Sequence, residues 1–424
     1  MSMKSISLII VTILIIVIIV TIVGIFYAFN SGLFGSFTNT TSIGAGYVPI
    51  TIYNTQNIPT PSPFQQDIAI CNGNTNIGPN FAYINNLTLF NQIDPDGQNV
   101  YFVNSSGNIL YSWYEGQLIN GSTYCDAWWI NLPNGIPANS NITIYMYVGN
   151  SSDNYYSQYY PYVGASSQEI PGYDNGQYVF IAYGYFDNTF DGWSGYIYNG
   201  SYFPTVTPYG IEMLNASSYE GTYILPLNNG NIPEIPLIVE EAWKYFGFGH
   251  ANVIALFGNT SSQINASSIG NTSGAYTPTS NLSTFVQFEY WPGNTTPYSQ
   301  STMLKSAVTN SVLNQTSFPP HFPSFGETVY SYLIVNSSYA QTGYYIYSSN
   351  QVWVPLTLLD MYPLSYNPNY GNYTYNNLSY NPFQYGTLEI GAGDGAYGIS
   401  FQVIQWVVAR AYPPNGVMPS IYIR

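Results

Sequence analysis

Hydrophobic and polar positions follow two different patterns along this chain. The first is an unbroken apolar run, ISLIIVTILIIVIIVTIVGIFYAF, from Ile6 to Phe29. At 1.5 Å per residue it predicts a helix of roughly 36 Å, enough to cross a hydrocarbon core of about 30 Å with some tilt. Its only polar members are Ser7, Thr12 and Thr21, whose hydroxyls can bond back to the helix's own carbonyls. Lys4 is the only charged residue before it, which places the short N-terminus inside and the remaining chain outside. Asn30 to Gly46 is rich in Gly, Ser and Thr without periodicity and reads as a linker. The second pattern begins at Tyr47: short runs of Val, Ile, Tyr and Thr with period two, separated by Gly, Pro, Asn and Asp.

That second pattern predicts an all-β body. In its first part the expected strands are Val48–Tyr53, Asp67–Cys71, Asn99–Val103, Ile109–Trp113, Cys125–Ile130 and Ile142–Val148. In the last of these, Ile142, Ile144, Met146 and Val148 share one face and Thr143, Tyr145 and Tyr147 the other, as in a strand with one buried side. A Tyr- and Ser-rich connector spans Ser151 to Gly176. Beyond it, strands are expected at Tyr178–Tyr183, Tyr196–Phe203, Thr222–Leu227, Leu237–Phe246, Val253–Phe257, Thr284–Trp291, Thr328–Val335, Tyr344–Tyr347, Val352–Leu358, Thr387–Ile390 and Phe401–Ala409, with a short helix over Thr302–Gln315. The expected organisation is a leader (1–5), a transmembrane or filament-core helix (6–29), a linker (30–46) and two antiparallel, jelly-roll-like β-sandwiches (47–165 and 166–424).

Composition sharpens this picture. Only 6% of the 424 residues are charged, and the formal net charge is −15. Outside the leader the basic residues are Lys244, Lys305, Arg410 and Arg424. Nucleic acid and anionic membrane surfaces need basic patches, so both are excluded as partners of the body. The 45 tyrosines exceed what cores can hold, so many must lie at surfaces. A body with so few ion pairs has few to lose on acidification, and little loss of stability is expected between about pH 7 and pH 3.

Roughly seventeen Asn-X-Ser/Thr sequons follow the apolar run, among them Asn86, Asn104, Asn120, Asn141, Asn215, Asn265, Asn336 and Asn372. On an outer surface several are expected to carry glycans. An exterior location also permits a disulfide between Cys71 and Cys125, closing a loop of about 55 residues worth about 4 kcal/mol; two free thiols are the alternative.

Two stretches carry family resemblances. Met3-Lys4-Ser5-Ile6-Ser7 resembles the signal of archaeal type IV pilin-like (class III) proteins, in which a leader is trimmed ahead of the apolar helix. Ser5 stands where Gly or Ala is usual, and the cut implied lies between Ser5 and Ile6. Such a helix either stays in the membrane or assembles with copies of itself. Residues 47–154, with DPDGQNVYFVNSSGNILYSWYEG followed by AWWINLPNGIPANSNITIYMYVGN, are similar to a domain of unknown function found in prokaryotic, mainly archaeal, surface proteins. In that family a concanavalin- or laminin-G-like sandwich often follows. Here GYFDNTFDGWSG and ISFQVIQWVVARAYPPNGVMPS resemble its opening and closing segments. The resemblance implies a surface module without known catalytic residues.

Candidate chemistry is sparse. Met361 to Gly386 concentrates Tyr362, Tyr366, Tyr370, Tyr373, Tyr375 and Tyr380 among asparagines. Aromatic faces pack on sugar C–H surfaces and amides bond hydroxyls, so this stretch is the candidate carbohydrate-binding segment. Asp94 and Asp96 in IDPDGQN offer oxygen ligands for calcium, but the later bidentate Glu of a calcium loop is missing, which favours a plain β-turn. His250 and His321 are the only histidines, no Gly-X-Ser-X-Gly elbow occurs, and no metal or other cofactor is implied. Glu240 and Glu241 are adjacent, point to opposite faces of a strand, and are expected to pair with Lys244 or ring a polar face rather than act as a glycosidase pair. The sequence therefore predicts a membrane-anchored extracellular surface glycoprotein, non-enzymatic, acting as an adhesin or sugar-binding structural protein. The alternatives are a pilin-like filament subunit and a virion surface spike of an archaeal virus.

Overall fold

A computed structural model of the chain describes residues 46–74, 81–120, 122–198, 202–215, 221–225, 231–233, 235–245, 252–258, 269–271, 276–278, 284–291, 301–306, 311–316, 326–336, 339–347, 372–376, 386–393 and 400–423, some of the shorter segments by their backbone alone. Among these residues no helix is long and apolar enough to cross a membrane. The Ile6–Phe29 run and the Ser5/Ile6 position lie outside them.

The first sandwich contains β1 (Tyr47–Asn54), β2 (Phe64–Cys71), β3 (Tyr83–Asn85), β4 (Val100–Val103), β5 (Ser112–Asn120), β6 (Thr123–Leu132), β7 (Ser140–Val148) and β8 (Val163–Ala165). Short helices α1 (Leu87–Phe90), α2 (Tyr155–Tyr159) and α3 (Gly176–Val179) lie between strands or after them. The second sandwich follows with β9 (Ala182–Tyr185), β10 (Ser194–Tyr198), β11 (Thr205–Thr207), β12 (Gly210–Asn215), β13 (Gly221–Leu225), β14 (Asn231–Ile232), β15 (Leu237–Tyr245), β16 (Asn252–Gly258), β17 (Ile269–Asn271), β18 (Tyr276–Pro278), β19 (Thr284–Trp291), β20 (Ser301–Ser306), β21 (Ser311–Thr316), β22 (Thr328–Val335), β23 (Tyr339–Tyr347), β24 (Asn372–Asn376), β25 (Gly386–Gly393) and β26 (Ser400–Ala411). The chain ends in β27 (Ser420–Ile423).

The architecture is all-β, as the alternation predicts. One sheet of the first sandwich has the order β27-β1-β7-β4 and the other β3-β2-β6-β5-β8. Their facing sides bury Ile50, Ile52, Phe102, Ile144 and Met146 against Ile68, Ile70, Tyr114 and Trp128, with the Phe102 and Trp128 rings 5.9 Å apart. The second sandwich pairs a sheet of order β11-β12-β26-β15-β22-β23-β24 with one of order β10-β13-β25-β16-β19-β20-β21. Its interior holds Met213, Trp243, Leu333, Leu388, Ile390 and Ile404. Where a helix is expected over Thr302–Gln315, the chain instead forms the antiparallel pair β20–β21 with a register shift at Leu304/Lys305. Thr302, Val308, Thr309, Val312 and Thr316 are β-branched, and cross-strand pairing outweighs the helix preference of Met303, Leu304 and Lys305.

The last strand crosses the boundary at 165/166. β27 returns to the first sandwich and pairs antiparallel with β1, setting Ile421 opposite Ile52 and Tyr422 opposite Thr51. The two sandwiches are thus tied by their chain ends as well as by the connector. Cys71 and Cys125, opposite each other on β2 and β6, form the expected disulfide.

The sandwiches also share a buried layer. Trp113, Trp129 and Gln65 face away from the first core, toward Ile238, Tyr330, Tyr332, Trp406 and Val408 on the outer face of the second sandwich. Arg410 and Glu240 lie in this layer fully buried, their Nε and Oε2 atoms 2.6 Å apart. Tyr330 donates to Glu240 Oε1 at 2.6 Å, and the guanidinium sits 4.8 Å from the Trp129 ring centroid. The expectation that Glu240 pairs with Lys244 is corrected: strand alternation carries Glu240 into the interface, where Arg410 is directed at it. Glu241, on the opposite face, is buried in the second sandwich. The two glutamates do not form an opposed catalytic pair.

Candidate functional site

In the first sandwich β27 and β3 are edge strands of the two sheets, with β4 and β8 at their opposite edges. Between the β27 and β3 edges lies a groove of about 540 Å³. One wall comes from residues 81–86 and the other from 418–423. Ile84 and Ile421 turn inward and anchor the walls, at 8% and 5% exposure. The alternate positions, Tyr83 and Asn85 on one wall and Ser420 and Tyr422 on the other, remain at the surface. Tyr422 is 55% exposed. The Tyr83 ring stacks on Phe81 at 6.1 Å and 19°. Asn85 Nδ2 donates to Asn74 Oδ1 at 2.8 Å, which fixes its amide.

Among the described residues no charged side chain lines this groove. Its walls offer aromatic faces, amides, a hydroxyl and strand-edge backbone groups. That combination suits a neutral, hydroxyl-rich or amide-bearing ligand and discourages an ionic one. Asn86, a sequon residue, is at its rim. It caps α1, its Oδ1 accepting from Leu89 N at 3.0 Å, an arrangement that does not use Nδ2.

Carboxylates cluster elsewhere. Asp126 is 2% exposed, accepts from the Tyr114 hydroxyl at 2.9 Å and from Gln117 Nε2 at 3.3 Å, and burial pushes its pKa up to about 7. Burial likewise lifts Asp191 to about 6, against the Tyr185 backbone N–H that holds it down. Asp174 receives Trp113 Nε1, Gly176 N, Ser167 N, Ser167 Oγ and the Tyr183 hydroxyl, at 2.7–3.1 Å. It binds the connector to both sandwiches; burial raises its pKa and these donors oppose the rise. These groups are held by the protein's own donors and do not line the groove.

The sequence-derived candidates fare unevenly. Tyr362, Tyr366, Tyr370 and Tyr380 lie outside the described residues, as do Asn265, His250 and His321. Tyr373 and Tyr375 are in β24, opposite Thr342 and Ala340 of β23, and Asn372 opens that strand opposite Gly343. Asp94 and Asp96 form the β-turn: Gly97 N donates to the Asp94 carbonyl at 2.8 Å, with Gly97 at φ 67°. Asp96 Oδ1 accepts from Gln98 N, and among the described residues no cluster of three acidic, His or Cys side chains could hold a metal ion. Asn104 Oδ1 accepts from Ser106 N and Asn108 N, and Asn141 is exposed on β7. Asn120 and Asn215 end β5 and β12. Asn336 follows β22. Sequence reasoning missed the groove because one wall comes from the extreme C-terminus. The only local signal is the alternating Ser420-Ile421-Tyr422-Ile423, whose partner lies some 370 residues away.

No family model matches the chain, so the resemblance of residues 47–154 to a surface domain of unknown function gains no support. A relative in sequence is "Uncharacterized protein 562" of Sulfolobus islandicus rod-shaped virus 1, 28% identical over 388 residues. The match covers 88% of this chain and 58% of the relative, so the chain spans less than two thirds of that protein's length. Solved structures with partial similarity include two plant lectins and the VIP36 domain. Lectin II from Ulex europaeus is 10% identical, covering 53% of this chain and 96% of the lectin, with a TM-score of 0.35. Lectin I-B4 from Griffonia simplicifolia, in a metal-free form, is 10% identical, with 54% and 98% covered and a TM-score of 0.34. The VIP36 exoplasmic/lumenal domain in its Ca2+/Man3GlcNAc-bound form is 11% identical, with 53% and 86% covered and a TM-score of 0.32. At these scores no ligand or residue role is transferred from the lectins.

Proposed function

We propose that this chain is an outward-facing surface glycoprotein that binds neutral carbohydrate through the groove between β3 and β27, serving as an adhesin or a sugar-binding structural protein rather than an enzyme. The observation that carries the reading is the groove itself: walled by Tyr83, Tyr422, Asn85 and Ser420, with no charged side chain among its described residues, and sized like a small-ligand site, for which about 300–1,000 Å³ is usual. The Ile6–Phe29 run anchors the body to a membrane, with or without trimming after Ser5, and the Tyr-rich 362–380 stretch is a second sugar-contacting surface. A folded full-length chain applied to an array of neutral oligosaccharides should bind a subset. Tyr422→Ala should weaken that binding about tenfold or more, whereas Tyr209→Ala, at a 72% exposed tyrosine elsewhere, should leave it unchanged. A folded chain that binds nothing on the array would leave the second reading, a structural subunit of a virion or filament. The similarity to a viral protein over most of the chain favours that reading over other non-binding roles.

A further inference from the structure

The turn at Asp94–Gly97 is seated on Tyr114 of β5. Gly97 lies so close to the ring that a Cβ built there would stand 2.9 Å from it. The Tyr114 hydroxyl oxygen is 3.0 Å from the Pro95 carbonyl oxygen of the turn and 2.9 Å from Asp126 Oδ1 of β6. A phenol has one proton to donate, and neither a carbonyl nor a carboxylate has any. Two acceptor oxygens at hydrogen-bond distance from one hydroxyl therefore call for a second proton, and Asp126 is the group that can carry it. A protonated Asp126 donates to the Tyr114 oxygen while Tyr114 donates to Pro95, so both contacts are hydrogen bonds. With Asp126 ionised, Tyr114 turns its proton to the carboxylate, and the Pro95 carbonyl is left against a lone pair.

The surroundings favour the proton. Asp126 is buried, and burial with the nearby Glu169 charge pushes it up to about 7 against the donors Tyr114 and Gln117. Glu169 reaches in from the connector, its carboxyl lying over Gly116 of β5. Asp96 on the turn and Tyr156 of α2 complete the titratable groups around the site, and no cation among the described residues offsets the carboxylates. We infer that Asp126 and Tyr114 form a proton-gated clasp: protonated Asp126 holds the 94–97 turn on the first sandwich, and loss of that proton to solvent lets the turn lift. Helix α2 moves with it. The Tyr156 hydroxyl donates to the Asp96 carbonyl at 2.6 Å, and the Tyr155 N–H to the Gln98 carbonyl at 2.8 Å. Tyr155 and Tyr159 lie against the Tyr101 ring, at 4.8 and 5.1 Å, so lifting uncovers part of the outer face of the β27-β1-β7-β4 sheet. The clasp is closed in acid and opens as pH rises through neutrality. It stands whether or not the groove binds carbohydrate.

The test is amide hydrogen exchange of the full chain at pH 5 and pH 8, each rate taken relative to an unstructured chain at the same pH. Protection over residues 94–100 and 155–160 should fall about tenfold or more from pH 5 to pH 8. Asp126→Asn should abolish that fall and keep protection high at both, because its amide donates to the Tyr114 oxygen without a titrating proton; Gln117, which is exposed, can turn its own amide oxygen to meet it. Tyr114→Phe, which removes the hydroxyl, should leave protection low at both. At pH 8, exchange over 94–100 should be nearly insensitive to dilute denaturant, unlike that of β22, since a lifted turn exposes little surface. Equal protection of the unaltered chain at the two pH values would overturn the inference. So would an Asp126→Asn chain, or a Tyr114→Phe chain, that keeps the fall of the unaltered one. A denaturant dependence over 94–100 as steep as that of β22 would assign the fall to global unfolding and overturn it too.

Discussion

The two outer faces of the first sandwich solve one problem differently. The face of the β27-β1-β7-β4 sheet that looks away from the core is covered by tyrosines. Tyr47, Tyr101, Tyr147, Tyr155 and Tyr159 pack with centroids 4.8–6.1 Å apart, and the Tyr47 and Tyr101 hydroxyls share a 2.7 Å hydrogen bond. Burial raises the pKa of Tyr101 and Tyr155, so both stay neutral. The opposite face, pressed on the second sandwich, carries the charge: Trp129 Nε1 donates to Glu115 Oε2 at 2.9 Å, beside the Arg410–Glu240 pair. On this face, charges thus lie where water is excluded and partners are fixed, whereas the other face is covered with hydroxyl-tipped rings. An exposed ion pair adds little to stability, while a buried one punishes any mismatch and so fixes how two sheets meet.

The largest effect should come from breaking the charged face. Arg410→Met leaves Glu240 buried with only Tyr330 to stabilise it, and chemical denaturation should show a loss of about 3–5 kcal/mol. Adding Glu240→Gln should recover most of it, because a neutral amide still accepts from Tyr330. Trp129→Phe removes the donor to Glu115 and weakens the cation–ring contact, for an expected loss of about 2 kcal/mol.

Acidity sharpens the comparison next. The folded pKa values of Asp126 and Asp191, about 7 and about 6, stand above the unfolded value of about 3.9. The folded state therefore binds more protons in that interval. The stabilisation is fully present below about pH 4 and is lost as pH rises through 6 to 7. Unfolding midpoints should be higher at pH 5 than at pH 8, which turns the sequence expectation of mere tolerance to acid into a gain. A midpoint that falls steadily from pH 8 to pH 5 would show that other carboxylates dominate. The smallest effect belongs to the tyrosine face: Tyr101→Phe loses one shared hydroxyl bond, worth about 1 kcal/mol.

How much of this was legible depends on how local the signal is. β22 matches its expected span of Thr328–Val335, and β7 shows its expected inner side, with Ile144 and Met146 buried. Alternation over eight or nine residues suffices for such strands. Tyr178–Tyr183, expected as a strand, divides into α3 and β9, because Gly176 and Phe180 close a turn through the Phe180 N–H and Gly176 carbonyl at 2.9 Å. The Arg410–Glu240 pair left a readable trace. An arginine inside the apolar run Val407-Val408-Ala409-Arg410-Ala411 demands a buried acidic partner, and few were on offer. Which carboxylate answers is set by the β15–β26 register, where Ile238 stands opposite Arg410 and Glu240 one step along the same face. That pairing, like the β27–β1 closure and the groove it builds, is fixed only by tertiary structure.

The central claim is that the groove between β3 and β27 receives neutral carbohydrate. The most direct measurement is amide hydrogen exchange of the full chain with and without a saturating array-positive oligosaccharide. The account predicts slower exchange confined to residues 81–86 and 418–423, the two walls of the groove. Protection that leaves both walls untouched and falls elsewhere would contradict it.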